Sequence, residues 1–462
     1  MFLAISKIFW PLVNTSWLRI IVSLIVVSLP FELIPSIDIA GATVKVGYIL
    51  TFVAVWILII LLIKKDKKLF SLKINRLSWF LLFFLVTSLT SFPFIQDPKR
   101  ALLTFTAVLI TFLASILVAN FADNLKYHLR NLAIVLTFTN LFALYQLLGD
   151  LIGLSASLTG LRIQYTGIVF GLARPHATAL EPLFYSGMLF VSIIALFFGL
   201  ASKEYIFRFP DHFFEIIRNF LPVKIHFFVN NFYLNLIVLG FHLFIFTVNI
   251  SKGAYLSLAV ALIFGTLLTR KRFDYLPLLK IGIWFSVILT PVVAYLFFYS
   301  EKIRFFITET IQNFIETIQN RSSSASQRSR FVEAFWFLLP GFIITGAGYG
   351  QYGNLSNFML RDLQNNPDSY FVVNNTYLEI WLEQGILSLF VFLLTLFYFF
   401  MRSLVKLKSL NNCASHLIGL TLSISLLAYC IQWLTFSPIY IMPIFILLGL
   451  GFKWLETENN SK

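Results

Sequence analysis

The feature that most constrains this chain is a succession of apolar stretches. Each is about twenty residues long, the length at which a helix crosses the roughly 30 Å hydrocarbon layer of a bilayer. They fall at about 17–34, 46–63, 77–95, 101–121, 132–153, 181–201, 232–250, 253–269, 276–299, 379–401, 414–434 and 437–454. Arg19, Pro30 and Glu32 crowd the ends of the first, which makes it the weakest of the twelve as a span; no small-residue cleavage site follows it, so it does not read as a removable signal. Composition agrees: only 12% of the residues are charged, against about 25% in a soluble domain. The expected fold is all-α, a polytopic integral membrane protein of about 12 transmembrane helices. Residues 1–462 form one membrane domain, with no internal repeat of fixed period and no low-complexity linker.

The formal charge of +14 would suggest nucleic acid in a soluble chain, but here the basic residues sit in short clusters between spans. They gather in alternate loops: "KKDKK" at 64–68 with Lys73 and Arg76, the 202–231 loop with Lys203, Arg208, Arg218 and Lys224, "RKR" at 270–272, and Arg402, Lys406 and Lys408. The positive-inside rule makes these loops cytoplasmic, which places both termini inside and predicts no nucleic-acid partner. Two external loops are then long enough to hold a site, 154–180 and the large 300–377 loop between the ninth and tenth spans. Within 202–231, "FFEIIRNFL" has the pattern of an amphipathic segment on the inner surface. The two cysteines, Cys413 and Cys430, lie in or beside late spans, so neither a structural disulfide nor a cysteine-based metal site is expected.

The stretch "GAGYGQYG" at 346–353 satisfies G-x-G-x-x-G through Gly348, Gly350 and Gly353. A dinucleotide loop needs a strand before it, a helix after it and an acidic residue about 20 positions on. The following "NLSNFMLRDLQNNPDSY" makes no such unit, and the segment lies on the external side. Two readings remain open. The glycines serve a turn that needs positive φ or close backbone approach, or their exposed N–H groups cradle phosphate oxygens.

The order of external motifs resembles the O-antigen ligase and polymerase superfamily, which contains Wzy-type polysaccharide polymerases and WaaL-type O-antigen ligases. The motifs are "RPHATALEPLFYSGML" at 174–189, "NISKGAYLSLAVAL" at 249–262, "SASQRSRFVEAFWFLLPGFIITGAGYGQYG" at 324–353 and "NNTYLEIWLEQGI" at 374–386, spread over roughly residues 130–400. The resemblance implies a glycosyltransferase of the bacterial inner membrane. Its donor would be an undecaprenyl-pyrophosphate-linked oligosaccharide, used with a glycan acceptor and without metal or cofactor. Membrane lipids and a chain-length regulator are further implied partners. The family's usual arginine in "SRGA" falls here on Lys252, which keeps the charge but loses the planar fork. Ligases carry a histidine where this chain has Asn374, and polymerases often carry an acidic-proline pair where it has Glu181-Pro182, so the resemblance points to polymerase before ligase.

Such a transfer expels a lipid pyrophosphate as a sugar hydroxyl attacks, so fixed cations at the leaving group and a base at the hydroxyl are the groups to look for. Arg174, Lys252, Arg328 and Arg330 are the candidate cations; interfacial snorkelling is the bland alternative for each. Lys252 stands out because it occupies a tight external turn, where the positive-inside rule disfavours it. Glu181 is the candidate base, with a simple helix-dipole role as its alternative. His176, Tyr349, Asn375, Tyr377 and Glu383 are candidate substrate contacts. Thr376-x-x-Glu379 has the spacing of a capping box, which would give Glu379 a structural task. Outside the enzyme class, transport and a non-catalytic scaffold remain. Transport is disfavoured by nearly charge-free mid-span regions, Lys280 near a span end excepted.

Overall fold

A computed structural model describes residues 15–33, 36–39, 42–64, 75–166, 173–208, 231–299, 304, 308, 312, 315, 323–360, 371–437 and 441–457. Most of "KKDKK", the segment "FFEIIRNFL" and most of 300–322 lie outside the described residues. Helices occupy all twelve apolar stretches: α1 (Thr15–Val27), α2 (Val46–Ile63), α3 (Arg76–Ser88, continued by a 3-10 turn to Phe94), α4 (Pro98–Phe121), α5 (Leu125–Leu151), α6 (Pro182–Ser202), α7 (Asn231–Val248), α8 (Lys252–Thr269) and α9 (Leu276–Tyr299). After α10 (Ser323–Leu338) and α11 (Tyr352–Leu360) come α12 (Thr376–Ser409), α13 (Cys413–Gln432) and α14 (Met442–Thr457).

Nine helices among the described residues are long and apolar enough to cross a membrane, which makes this a multi-pass membrane protein. Helices α1 and α14, at 13 and 16 residues, are shorter, and α9 also stands outside the nine. Among the described residues the fold departs from an all-helical reading at one place. Ser36–Ile39 and Ala42–Lys45 form an antiparallel hairpin, β1 and β2, with Ser36 opposite Lys45. Helix starts follow local chemistry: Asn75, Asp97, Asn124, Asn375 and Asn412 each accept a backbone N–H of the first turn.

Helices α6 and α13 run through the centre of the bundle and are buried along most of their length, whereas α2, α3 and α7 turn much of their apolar surface outward. Around the centre, α14 lies along α4, α13 along α6 and α8, and α12 along α3. Polar contacts gather at the two ends of the bundle. One end joins Arg19 and Lys453 to Asp123, Lys126 and Arg208 to Glu204, and Arg272 to the carbonyls of Leu407, Lys408 and Leu410. The other end collects the turns at 30–33, 95–97, 173–181, 249–252, 349–352 and 374–376. Over this second end, α10 and α11 have a small core of their own, built on Ala334, Phe335, Leu339, Tyr352 and Leu360.

Candidate functional site

The 173–181 segment is held from below by one side chain. Gln146, fully buried on α5, accepts from the backbone N–H groups of His176 (3.2 Å) and Ala177 (2.8 Å) and donates to the Ala177 carbonyl (3.1 Å). Thr178 donates its hydroxyl to the Pro30 carbonyl, and its own carbonyl accepts from Glu32 and Leu33. The hairpin is fixed next to it by a buried ion pair, Lys45 Nζ to Glu32 Oε1 at 3.0 Å. The loop is therefore a rigid platform.

On this platform Arg174 reaches across to the turn between α7 and α8. Its Nε donates to the Asn249 carbonyl and its Nη2 to that of Ile250, both at 3.1 Å. A guanidinium has five N–H donors, so these bonds anchor the turn and, among the described residues, leave three for another acceptor. Lys252, first residue of α8, is exposed immediately beyond that turn. Glu181 is the N-cap of α6, followed by Pro182, but its side chain does not cap the helix and makes no hydrogen bond or ion pair among the described residues. Burial raises its pKa, against the opposing pull of Arg162 and Arg174; Glu32 raises it further. An anion held off its helix and flanked by two guanidinium groups is a base with free lone pairs.

His176 does not share that role. Its ring is fully buried against Tyr165, Nε2 accepts from the Arg162 N–H at 3.4 Å, and desolvation lowers its pKa to about 4. It is a neutral packing residue that shapes the loop.

The glycine stretch resolves into a turn, and its N–H groups already hold an anion. Gly346, Gly348 and Gly350 all have positive φ, at 78°, 104° and 68°. The Glu383 carboxylate accepts from the Gly350 N–H (2.8 Å) and the Tyr352 N–H (3.1 Å), with the Gln384 side chain donating at 3.3 Å. The cradle expected for phosphate is thus filled, at these two groups, by the chain's own carboxylate. Tyr349 is buried in an aromatic cluster with Phe92 and Phe105, and its hydroxyl donates to Ser88, so the ring is core and not a surface contact.

This docking rests on a break in α12. Gly385 leaves the helical region (φ 85°, ψ 167°), and a Cβ there would stand 2.2 Å from the Ile344 carbonyl oxygen. The Leu382 and Glu383 carbonyls accept from Ala347 and Gly348, and the Ile386 N–H donates to Ile343. Irregular backbone at this depth keeps its polar groups paired inside the protein, as a bilayer demands. Arg100 at the start of α4 donates to the Gly350 carbonyl (2.8 Å) and lies within electrostatic reach of Glu379 and Glu383.

The entry to α12 also differs from the spacing-based expectation. Asn375 is the cap, accepting from Tyr377 and Leu378, while Thr376 donates its hydroxyl to the Phe436 carbonyl. No Thr376–Glu379 capping box forms because Thr376 is already the first helical residue. Tyr377 packs against Phe392 and Trp433 and donates to the Cys430 carbonyl, which occupies both its ring and its hydroxyl. On α10, Arg330 donates to the Met359 carbonyl at the end of α11, and Arg328 is exposed.

The structure therefore brings Arg174, Glu181 and the Lys252 turn together, and separately ties Glu383, Tyr349 and Arg100 around the glycine turn. Gln146, Arg162 and Arg100 were not singled out by sequence, since an amide or cation at a helix end has no spacing signature. Residues 236–393, from α7 through the first half of α12, match the family model described as O-antigen ligase. No curated protein matches the chain.

Proposed function

From the premise that this chain carries an O-antigen ligase family domain across residues 236–393, we propose that it joins lipid-linked oligosaccharide repeat units, as a polymerase of a cell-envelope polysaccharide. At the coarser level the family gives, it is a membrane glycan transferase of the O-antigen ligase and polymerase type. The finer reading is carried by one observation: the unbonded Glu181 carboxylate stands beside Arg162 and Arg174 at the end of the bundle remote from the basic loops. In the proposed topology that end faces outward and both termini are cytoplasmic, since Lys126, Arg208, Arg272 and Lys408 collect at the opposite end. Twelve spans and the external position of α10 and α11 belong to the same topology.

In the reaction, an acceptor sugar hydroxyl gives its proton to the Glu181 carboxylate as its oxygen bonds the anomeric carbon of the donor. The bond from that carbon to the lipid pyrophosphate breaks, and its electron pair leaves on the pyrophosphate. Arg174, through the donors not spent on the 249–251 turn, and Lys252 beside it offset the growing charge. Arg328 and Arg330 on α10 and Asn375 at the entry of α12, whose amide donates to the Leu434 carbonyl, are the further groups proposed to meet the glycan.

A ligase, which hands a glycan to a lipid or protein acceptor, is the second reading, favoured by the description of the matched family. Against it, the position that is histidine in ligases is Asn374, whose left-handed backbone (φ 57°) carries no titratable group. The test is to incubate the protein in lipid nanodiscs with undecaprenyl-pyrophosphate-linked repeat units alone. A ladder of products spaced by one repeat supports polymerisation; product formation only when a second acceptor is added overturns it in favour of ligation.

A further inference from the structure

At the basic end of the bundle, far from Glu181, the first turns of α5 and the 204–208 segment enclose a cleft of about 320 Å³. Three cations line it, Lys126, Arg130 and Arg208. One carboxylate is close by: Glu204 Oε2 lies 3.3 Å from both Lys126 Nζ and Arg208 Nη2. Arg130 makes no hydrogen bond or ion pair among the described residues, and its side chain is exposed.

This arrangement is locally unfavourable in two ways. Lys126 stands in the first turn of a 27-residue helix, where the macrodipole repels a cation. Lys126 and Arg130 are also four residues apart on one helical face, a like-charge spacing that costs a few tenths of a kcal/mol. Yet the cleft is rigidly built. Asn235, buried on α7, accepts from the backbone N–H groups of Ile206 (3.2 Å) and Phe207 (3.0 Å) and donates to the Phe207 carbonyl (2.7 Å). Lys126 and Arg208 share the single Glu204 carboxylate and Arg130 has no counter-charge among the described residues, so the cleft keeps a net positive charge that an anion would balance. Two tyrosines, Tyr127 and Tyr205, line it, and Tyr127 is exposed, as rings are at the level of lipid headgroups.

We propose that this cleft binds the phosphate of an anionic phospholipid headgroup, with Arg130 and Lys126 as its principal donors and Arg208 closing the third side. A guanidinium fork and an ammonium suit phosphate oxygens, and the acyl chains would run along the exposed apolar flank of α5, where Phe138 and Leu141 face outward. The lipid is a bound component of the inner-leaflet end of the bundle and takes no part in glycan transfer.

The test is a thermal-shift titration of the detergent-solubilised full chain with short-chain phosphatidylglycerol, with phosphatidylcholine of the same chain length, and with inorganic phosphate. Phosphatidylglycerol is expected to bind well ahead of the other two. One cation near a phosphate contributes about 1 kcal/mol, so Arg130→Ala weakens phosphatidylglycerol about fivefold and Arg130→Ala with Lys126→Ala about 25-fold. Arg130→Lys, which keeps the charge and loses the fork, falls between wild type and Arg130→Ala. Both side chains are exposed, so the lipid-free unfolding midpoint checks that the variants fold. Unchanged phosphatidylglycerol affinity in the double variant overturns the site. Inorganic phosphate that binds as tightly as the lipid overturns the lipid assignment in favour of a soluble anion.

Discussion

Glu383 looks from sequence like a substrate contact, and its geometry says that it holds the glycine turn to α12. Its carboxylate accepts two backbone N–H groups, from Gly350 at 2.8 Å and Tyr352 at 3.1 Å, in a site where Glu383 is 3% exposed and water does not replace a lost partner. A hydrogen bond to a charged group contributes about 1.5–3 kcal/mol, so Glu383→Ala should destabilise the fold by about 3–6 kcal/mol. Glu383→Gln keeps one acceptor oxygen and turns an amide toward the other N–H, so about half of that loss is expected. The assay is thermal unfolding in nanodiscs together with the initial rate of ladder formation. Both variants should unfold at lower temperature, Ala below Gln, and turnover at a temperature where Glu383→Gln is still folded should be largely kept. A Glu383→Gln protein with the wild-type midpoint and no turnover would refute the reasoning and return the carboxylate to the substrate.

Glu181→Gln should show the converse pattern: turnover falls by about 10²–10⁴-fold, the usual worth of a positioned base, with the unfolding midpoint unchanged because no hydrogen bond is lost. Lys252→Ala should lower turnover while expression stays intact, whereas Arg174→Lys, which keeps the charge but cannot fork to Asn249 and Ile250, should lower turnover and midpoint together. Measured side by side, equal midpoints for Arg174→Lys and wild type would show that the turn does not depend on the fork. His176 gives a pH dependence. Its folded pKa of about 4 lies below the unfolded value of 6.5, so the unfolded chain takes the proton first. Stability is complete above about pH 6.5 and declines by about 3 kcal/mol as pH falls toward 4. His176→Gln should flatten that part of the midpoint-against-pH curve, and identical curves for the two proteins would sink the assignment.

The helices were legible because apolar run length is a direct statement about the bilayer, whereas the starts capped by Asn75, Asp97, Asn124 and Asn412 were not read from it, since polar first turns lie ahead of the apolar runs. The hairpin was not, since "SIDI" and "ATVK" are too short for alternation to register beside a span. Nor was the break in α12. "LEQGILSLF" continues the apolar pattern without a proline, and the partners that make the break tolerable, Ile343, Ala347 and Gly348, lie about forty residues upstream. At the site, sequence could name charged residues at the loop end of the bundle but not distinguish those bonded to backbone from those left free.

That distinction separates the two carboxylates. Glu383 has both oxygens committed to the Gly350 and Tyr352 N–H groups and to Gln384, so a proton arriving there would have to displace a bond that holds the turn. Glu181 has no such commitment among the described residues: burial raises its pKa, Arg162 and Arg174 oppose that shift without occupying its lone pairs, and Glu32 adds to it. The same division runs through the cations. Arg100 donates to Gly350 and Arg330 to Met359, so both fasten backbone, while Arg174 fastens backbone with two donors and keeps three. A transfer that must move a proton and stabilise a departing pyrophosphate needs lone pairs and donors that the fold has not consumed. In the reaction proposed above those groups are Glu181 at the start of α6 and Arg174 across from it, on the segment that Gln146 holds. The glycine turn, despite its motif, serves as the joint that ties the α10–α11 unit to α12.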